Sequence, residues 1–316
     1  MRIIFVGTSS FGIPVLKKII SLREDIVAII TQPDRPAGRG KRITASPIKE
    51  VALEHGLNIF QPDSINSEES IQKIKDYKPD LIVLIAYGQI LSKDVLKIPI
   101  NGCLNVHPSL LPHYKGSAPI QWTIIKGEKE TGISFLFMNE KIDAGDIILQ
   151  KKIKILPGEN CQQLSTRLAE ESAKMMPEVL DNIKKGNYKE IPQPEGRFFY
   201  ARKIGKTDCR INWENNGADI INLIRGVAYM PCAYTEFKGK RIKITRALLF
   251  KNAGENYDIF QKKPGDIIEV KKEGILVLTG DNTYVQIKRL ILPGSKEMDV
   301  AQFINGYCIN VGDSFN

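Results

Sequence analysis

The chain has 316 residues, of which 42% are hydrophobic and 26% charged, a composition typical of a globular protein. Its net charge of +9 permits a nucleic-acid partner without requiring one, while the three histidines argue against a multi-histidine metal site. The five cysteines contain no Cys-x-x-Cys pair, so we expect reduced thiols, a cytoplasmic location and no metal. The sequence has no run of about 18 apolar residues, so we expect no membrane span.

The opening residues alternate strand, turn and helix. We predict a strand over Ile3–Val6, a glycine turn over Gly7–Gly12, a helix over Ile13–Leu22 and a strand over Ile26–Thr31. The two glycines have the spacing of a phosphate-binding loop, but Ile13 stands where that loop needs lysine, and the Gly-x-Gly-x-x-Gly pattern also fails. A structural turn that packs strand against helix is therefore the preferred interpretation.

The next segment, Gln32–Arg42, has no apolar periodicity. It holds two prolines and two glycines, and it has four cations against one carboxylate. Such a composition predicts a mobile loop. The cations suit phosphate binding, and a solvated loop explains them equally well, so both interpretations stay open.

Alternating elements continue to about residue 185 and predict a doubly wound α/β domain. The helices are predicted over Pro47–His55, Ser67–Tyr77, Ala118–Lys126 and Cys161–Lys185. The strands are predicted over Ile59–Phe60, Leu81–Ala86, Cys103–His107, Ile133–Met138 and Ile147–Ile155. Prolines and a glycine among charges then indicate a linker. We expect a first domain over 1–189, the linker over 190–208 and a second domain over 209–316.

The second domain is predicted to be a helix followed by short strands. The helix is predicted over Ile220–Ala228. The strands are predicted over Ala233–Phe237, Arg241–Leu249, Asp266–Val270, Ile275–Leu278 and Tyr284–Leu290. Five such strands suggest a small closed barrel, with a last helix over Val300–Tyr307.

One barrel strand is strongly basic. Five cations fall within nine residues without an acid: Lys238, Lys240, Arg241, Lys243 and Arg246. Along Arg241–Thr245 the cations alternate with Ile242 and Ile244, which predicts one basic and one buried face. Either a solvated face or a nucleic-acid surface accounts for this pattern.

The candidate site lies at the end of the strand Cys103–His107. Strand alternation places Asn105 and His107 on one face, and Pro108 keeps His107 extended. With Asp143, in a later turn, they suit transfer of an acyl-type group to an amine: an amide and an imidazole can stabilise an oxyanion, and a carboxylate can hold the imidazole or remove a proton. A purely structural His–Asp hydrogen bond is the competing interpretation. Cys103 is interpreted as a packed core thiol.

These residues resemble a known family. The run Asn105–Ile120, NVHPSLLPHYKGSAPI, resembles the signature of folate-dependent formyltransferases, and Thr131–Ser134 and Asp143–Ile148 continue it. The segments Val6–Gly12 and Thr31–Arg42, together with Ile211-Asn212-Trp213, are similar to the branch of that family that acts on methionyl-tRNA. In the signature, His113 and Lys115 stand where arginines are frequent.

The resemblance implies a Rossmann-like formyltransferase domain with a parallel sheet, followed by an OB-like barrel that binds tRNA. It implies transfer of formyl from 10-formyltetrahydrofolate, a co-substrate, to the methionine amino group of initiator methionyl-tRNA. Separately from the resemblance, we expect a monomer. The resemblance makes Asn105, His107 and Asp143 catalytic. The folate site it implies comprises Ser109, Leu110, Leu111, Pro112, Ala86, Tyr87 and Gly88. The tRNA site would comprise Arg35, Arg39, Lys41, Arg42, Lys240, Arg241 and Lys243.

Two alternatives remain open at this point. A formyltransferase for a nucleotide-linked amino sugar or another small amine would share the catalytic trio, but it would not need the basic loop or the basic strand. A tRNA-binding module without catalysis would not need the trio, which is intact.

Overall fold

The computed structural model describes residues 1–37, 42–250 and 261–316. By internal contacts the chain forms two compact units. The first comprises Met1–Ser117, Glu130–Lys154 and Ser165–Ala201, and the second comprises Ala118–Lys129, Ile155–Leu164 and Arg202–Asn316. Within the described ranges, no helix combines the length and apolar character needed to cross a membrane. The boundaries expected at 189 and 208 remain a prediction.

In the described part of the chain, nine strands and six α-helices precede residue 186. The strands are β1 (Arg2–Gly7), β2 (Asp25–Ile30), β3 (Arg35–Ala37), β4 (Arg42–Thr44), β5 (Ile59–Phe60), β6 (Leu81–Ile85), β7 (Cys103–His107), β8 (Glu130–Phe137) and β9 (Ile147–Lys154). The helices are α1 (Ile13–Ser21), α2 (Pro47–Glu54), α3 (Glu68–Asp76), α4 (Lys93–Leu96), α5 (Pro119–Ile125) and α6 (Cys161–Lys185). The serines at positions 46, 67 and 92 cap α2, α3 and α4 through their side chains, which explains where these helices begin.

Seven of these strands form one sheet in the order β5-β2-β1-β6-β7-β8-β9. The first five are parallel, whereas β8 and β9 are antiparallel additions at one edge. Every residue of β6 and β7 is buried, as expected for strands covered on both faces. The doubly wound α/β prediction is confirmed, with an antiparallel edge that it did not specify. Ligands of such sheets bind beyond the carboxyl ends of the parallel strands, which is where β7 ends at His107.

The prediction of a mobile loop over Gln32–Arg42 was wrong in part, because strands lie towards both ends of this segment. β3 and β4 pair as an antiparallel hairpin, and the residues between them, 38–41, lie outside the described chain. Strands of three residues, one of which contains Pro36, are too short to leave a periodic pattern. The hairpin's base is anchored at Asp34, which accepts hydrogen bonds from Gln61 and Lys49; these lower the pKa of its carboxyl, and burial opposes the shift.

The second unit contains an antiparallel barrel, as predicted. Beside α7 (Gly217–Gly226) and α8 (Val300–Gly306), its strands are β10 (Ala233–Phe237), β11 (Lys240–Phe250), β12 (Ile267–Lys271), β13 (Gly274–Leu278), β14 (Tyr284–Ile291) and β15 (Glu297–Asp299). The order is β10-β11-β14-β13-β12, with β15 on β14. The C-terminal segment bonds to both end strands: Asn316 exchanges two backbone hydrogen bonds with Glu236, and Ile267 donates to Asp313. These bonds close the barrel.

Three aromatic rings pack together inside the mainly aliphatic core of the barrel. Trp213 stacks on Phe315 with ring centroids 5.9 Å apart, and Phe315 also contacts Phe237. The buried indole N–H is not left unpaired, because it donates to Thr235 Oγ1 at 3.0 Å.

Candidate active site

The end of β7 presents two polar side chains to one side of the sheet. Asn105 and His107 are 7% and 4% exposed, and both side chains reach Asp143. The two-residue period predicted their common face, and the structure agrees. Buried polar groups need partners, so the hydrogen bonds around them define the site.

The Asp143 carboxylate accepts contacts from three directions. Its Oδ1 accepts a hydrogen bond from Asn105 Nδ2 at 3.1 Å, and its Oδ2 accepts one from the Gly116 backbone N–H at 2.8 Å. His107 Nδ1 lies 3.5 Å from the same Oδ2. The side chain is 11% exposed. The three residues that the sequence singled out are therefore brought together, while their catalytic roles stay a prediction.

Hydrogen bonds fix the orientation of the His107 ring. Its Nε2 lies 2.9 Å from the backbone carbonyl of Tyr114, which can only accept, so Nε2 carries a proton. Nδ1 is then the nitrogen left to exchange a proton beside Asp143. The segment that supplies these backbone groups is held in turn, since Tyr114 N–H donates to Phe199 and Lys115 accepts from Ala201.

The turn that carries Asp143 is held by a residue that sequence reasoning missed. Gln193 Nε2 donates to the carbonyls of Asp143 and Gly145, at 2.8 Å each. Asp143 has a left-handed φ of +48°, which aspartate tolerates better than most residues. A side chain at position 145 would meet the carbonyl of Phe137 at 1.7 Å, so glycine is required there. Gln193 lies in a loop fifty residues beyond Asp143 in the sequence, so no local pattern indicated its role.

Burial shifts the pKa values of three side chains in this region, Cys103, Tyr87 and Lys115. It raises the pKa of the Cys103 thiol to about 12, which agrees with the prediction of a packed core thiol, and it raises the pKa of Tyr87 to about 12. Burial also lowers the pKa of Lys115, whereas the charge of Asp143 acts in the opposite direction. Lys115 is thus a cation close enough to feel the central carboxylate.

A cavity of about 120 Å³ opens beside Asn105 and Asp143. Its apolar walls are Leu84, Ile90, Leu91, Leu136 and Met138, and the segment 139–145 covers one side. None of the residues predicted for the folate site is among the residues that line this cavity. Of the predicted folate residues, Ser109 is fully buried and its hydroxyl donates to the His113 carbonyl. Leu111 packs on Leu136 in the core. Ala86 and Gly88 are exposed, whereas Tyr87 is buried. The folate assignment of these residues remains a prediction.

The predicted tRNA residues are distributed between the two units. On β11, Lys240 and Arg241 are exposed and Lys243 is half-buried, and the intervening Ile242 and Ile244 are buried, as the alternation predicted. The Arg241 guanidinium lies 4.2 Å from the centroid of the Tyr234 ring. In the first unit, Arg35 is exposed on β3, whereas Arg39, Lys41 and the side chain of Arg42 lie outside the described part of the structure.

Family models and related proteins match most of the chain. The family model described as formyl transferase matches residues 1–180, and the formyl transferase C-terminal domain matches residues 203–308. The methionyl-tRNA formyltransferase of Thermodesulfovibrio yellowstonii is 42% identical over 316 residues, covering 99% of both chains. That of Clostridium botulinum is 39% identical over 310 residues, covering 98% of this chain and 97% of the relative.

Solved structures share the fold at lower identity. An N-formyltransferase from Helicobacter canadensis in complex with folinic acid and dTDP-3-aminofucose superposes with a TM-score of 0.68 at 18% identity, covering 91% of this chain and 98% of that one. HypX from Aquifex aeolicus in complex with tetrahydrofolic acid gives 0.64 at 19% identity over 99% of this chain, which spans about half of HypX, 48%. At such identities the likeness establishes the fold alone.

Proposed function

The chain belongs to the formyl transferase family, and from this premise we propose that it transfers a formyl group from 10-formyltetrahydrofolate to the amino group of methionine on initiator tRNA. Relatives named methionyl-tRNA formyltransferase, about 40% identical over nearly the full chain, support this amine over an amino sugar. The observation that carries the chemistry is the convergence of Asn105 and His107 on the Asp143 carboxylate.

Asn105 would stabilise the oxyanion of the reaction. When the amine nitrogen attacks the formyl carbon, a new N–C bond forms and the carbonyl electrons move to oxygen. One N–H of the Asn105 amide is used by Asp143, and the second is available for that oxygen. The amide is preorganised, so it needs no reorganisation as charge develops; one such donor is typically worth roughly 10²–10³ in rate.

His107 and Asp143 would move the proton. The attacking amine must lose one proton, and the leaving N10 must gain one when its bond to the formyl carbon breaks. Because Nε2 stays bonded to the Tyr114 carbonyl, Nδ1 is the nitrogen that takes and returns the proton. Once Nδ1 is protonated, the ring is an imidazolium 3.5 Å from the Asp143 carboxylate, which stabilises that charge.

The cavity beside the trio suits the ring end of a folate. Its apolar walls, Leu84, Leu91 and Met138 among them, offer contacts to a flat ring, and Asn105 and Asp143 stand at its polar side. At about 120 Å³ it is small beside the roughly 300 Å³ or more of pockets that hold a whole drug-sized ligand, so the remainder of the folate would lie outside it.

An assay with 10-formyltetrahydrofolate and charged initiator tRNA tests the function, with uncharged tRNA and a free amino sugar as controls. We expect formyl transfer only to charged tRNA; preferential transfer to the amino sugar would contradict the proposal.

His107→Asn should lower kcat by roughly 10²–10⁴, the usual worth of a general acid or base. His113→Asn is the matched control, because His113 is exposed and its ring makes aromatic contacts with Tyr114 and Phe198 outside the trio. Light scattering tests the expected monomer.

A further inference from the structure

The second unit contains a cavity of about 630 Å³ that the proposed chemistry does not use. It lies where the β11–β14 pair meets α7 and the residues just before α6, all within this unit. Among the described residues that line it, three arginines face one carboxylate: Arg225, Arg246 and Arg289 against Glu297. The lining is therefore cationic.

A buried hydroxyl without a partner points into this cavity. Thr245 is 7% exposed, and its Oγ1 has no hydrogen-bond partner among the described residues. Thr245 lies where the register of β11 against β14 shifts, between Ile244 and Arg246. Such bulges re-aim a side chain and are common beside binding sites. A buried polar group left unpaired is costly, so a ligand that bonds to it gains accordingly.

The arginines are arranged for an anion rather than for one another. Arg246 and Arg289 are direct cross-strand partners, and like charges in that position destabilise a sheet. Arg289 has Glu297 at 3.1 Å, but Arg246 makes no ion pair within the described chain. Arg225 is held by neutral oxygens, the Glu159 carbonyl at 3.2 Å and Asn222 Oδ1 at 3.1 Å. Burial lowers the pKa of Arg225, and the charge of Glu159 acts against that shift.

An aromatic ring stands at the cavity's edge. Tyr229 is 52% exposed and holds a left-handed φ of +68°, which is uncommon for a residue of its size. Strained backbone of this kind clusters at ligand sites. Leu248, 47% exposed, provides an apolar surface in the same lining. A half-exposed tyrosine beside cations is the combination with which proteins bind unstacked nucleotides.

We propose that this cavity binds one nucleotide, with its phosphate on Arg225 and Arg246, a hydroxyl or phosphate oxygen on Thr245 Oγ1, and its base against Tyr229. An unpaired nucleotide of the tRNA substrate is the expected source, and to that extent the inference rests on the proposed function. A free mononucleotide shares the same chemistry, and the test separates the two sources.

The test compares Thr245→Val/Arg246→Gln with wild type in the full chain. Titrations measure the Kd of labelled uncharged initiator tRNA and of AMP. We expect the tRNA Kd to rise about tenfold or more, the usual effect of losing hydrogen bonds to a charged group. The matched control is Thr207→Val/Arg210→Gln, which alters an exposed threonine and arginine of the same unit. Tyr229→Leu is a second variant that removes only the ring.

The outcomes are separable from those of the proposed function. If AMP binding is lost while tRNA binding stays normal, the nucleotide site stands with a free nucleotide as its ligand. If wild type formylates methionyl-tRNA and neither the double variant nor Tyr229→Leu changes either Kd, the inference is overturned. If wild type fails to formylate methionyl-tRNA, the proposed function fails, and the AMP titration still decides whether the cavity binds a nucleotide.

Discussion

The site at the end of β7 and the basic face of the barrel use polar residues in opposite ways. Around Asp143, donors and acceptors are buried and paired, by Asn105, His107 and the Gly116 N–H. On β11 the cations at 240 and 241 point to solvent. Bond making requires atoms fixed to within fractions of an ångström, whereas long-range attraction of an RNA requires charge but little geometry. Changes at the first site should therefore alter the rate, and changes at the second should alter binding.

The strongest test of this contrast is Asp143→Asn. The substitution keeps the shape but removes the charge that holds the histidine imidazolium, so we expect kcat to fall by roughly 10²–10⁴. The Kd for tRNA should stay within about twofold, because no phosphate contact is assigned there. Single-turnover kinetics and tRNA titration measure the two quantities. Asp146→Asn, in the same turn, is the control, and an equal loss in rate and tRNA affinity would break the comparison.

A smaller effect is expected from Gln193→Met. It removes the two donations that hold the Asp143 turn, while the side-chain length is kept. Misplacing a catalytic group by about 1 Å can cost up to about a hundredfold, so kcat should fall by tenfold to that limit with KM less affected. Gln72→Met, at an exposed position of α3, should leave kcat unchanged. A Gln193→Met enzyme with normal kcat and an unaltered pH–rate profile would show that the glutamine serves only folding.

The difference between the two regions also explains what the sequence could predict. The common face of Asn105 and His107 follows from strand alternation, and so does the exposed-and-buried pattern of β11, since both are local. The partners of the trio are not local. Gln193, the Tyr114 carbonyl and the cavity walls meet the site only through tertiary packing, and a backbone N–H such as that of Gly116 leaves no trace in residue type. The residue types suggested Asp143 as the third member of the site, but a purely structural His–Asp hydrogen bond competed with that interpretation, and the catalytic one was favoured by the family resemblance.

On the barrel, Lys240→Gln/Arg241→Gln tests the other half of the comparison. For each phosphate that a cation no longer neutralises, the slope of log K against log salt should fall by about 1, and the KM for tRNA should rise several-fold. At saturating tRNA, kcat should match wild type. Lys272→Gln, an exposed cation in the turn between β12 and β13, is the control. If kcat falls while the salt dependence of binding is unchanged, the basic face does not act through phosphates.

The smallest effect should come from Asp208→Asn, which concerns stability alone. Arg202 donates to both carboxylate oxygens of Asp208, and the Gly205 N–H donates to one of them. The hydrogen bond from Arg202 is the main reason that the pKa of Asp208 is lowered, and burial opposes it. A pKa that is lower in the folded state contributes stability above the unfolded value, about 3.9, and that contribution is lost as the pH falls through the folded value. At pH 7 the variant should have a lower free energy of unfolding, and the deficit should shrink below about pH 4. Urea unfolding at both pH values measures it. Arg202→Gln should show the same pH dependence; a deficit that grows on acidification would mean that the pair does not stabilise the fold.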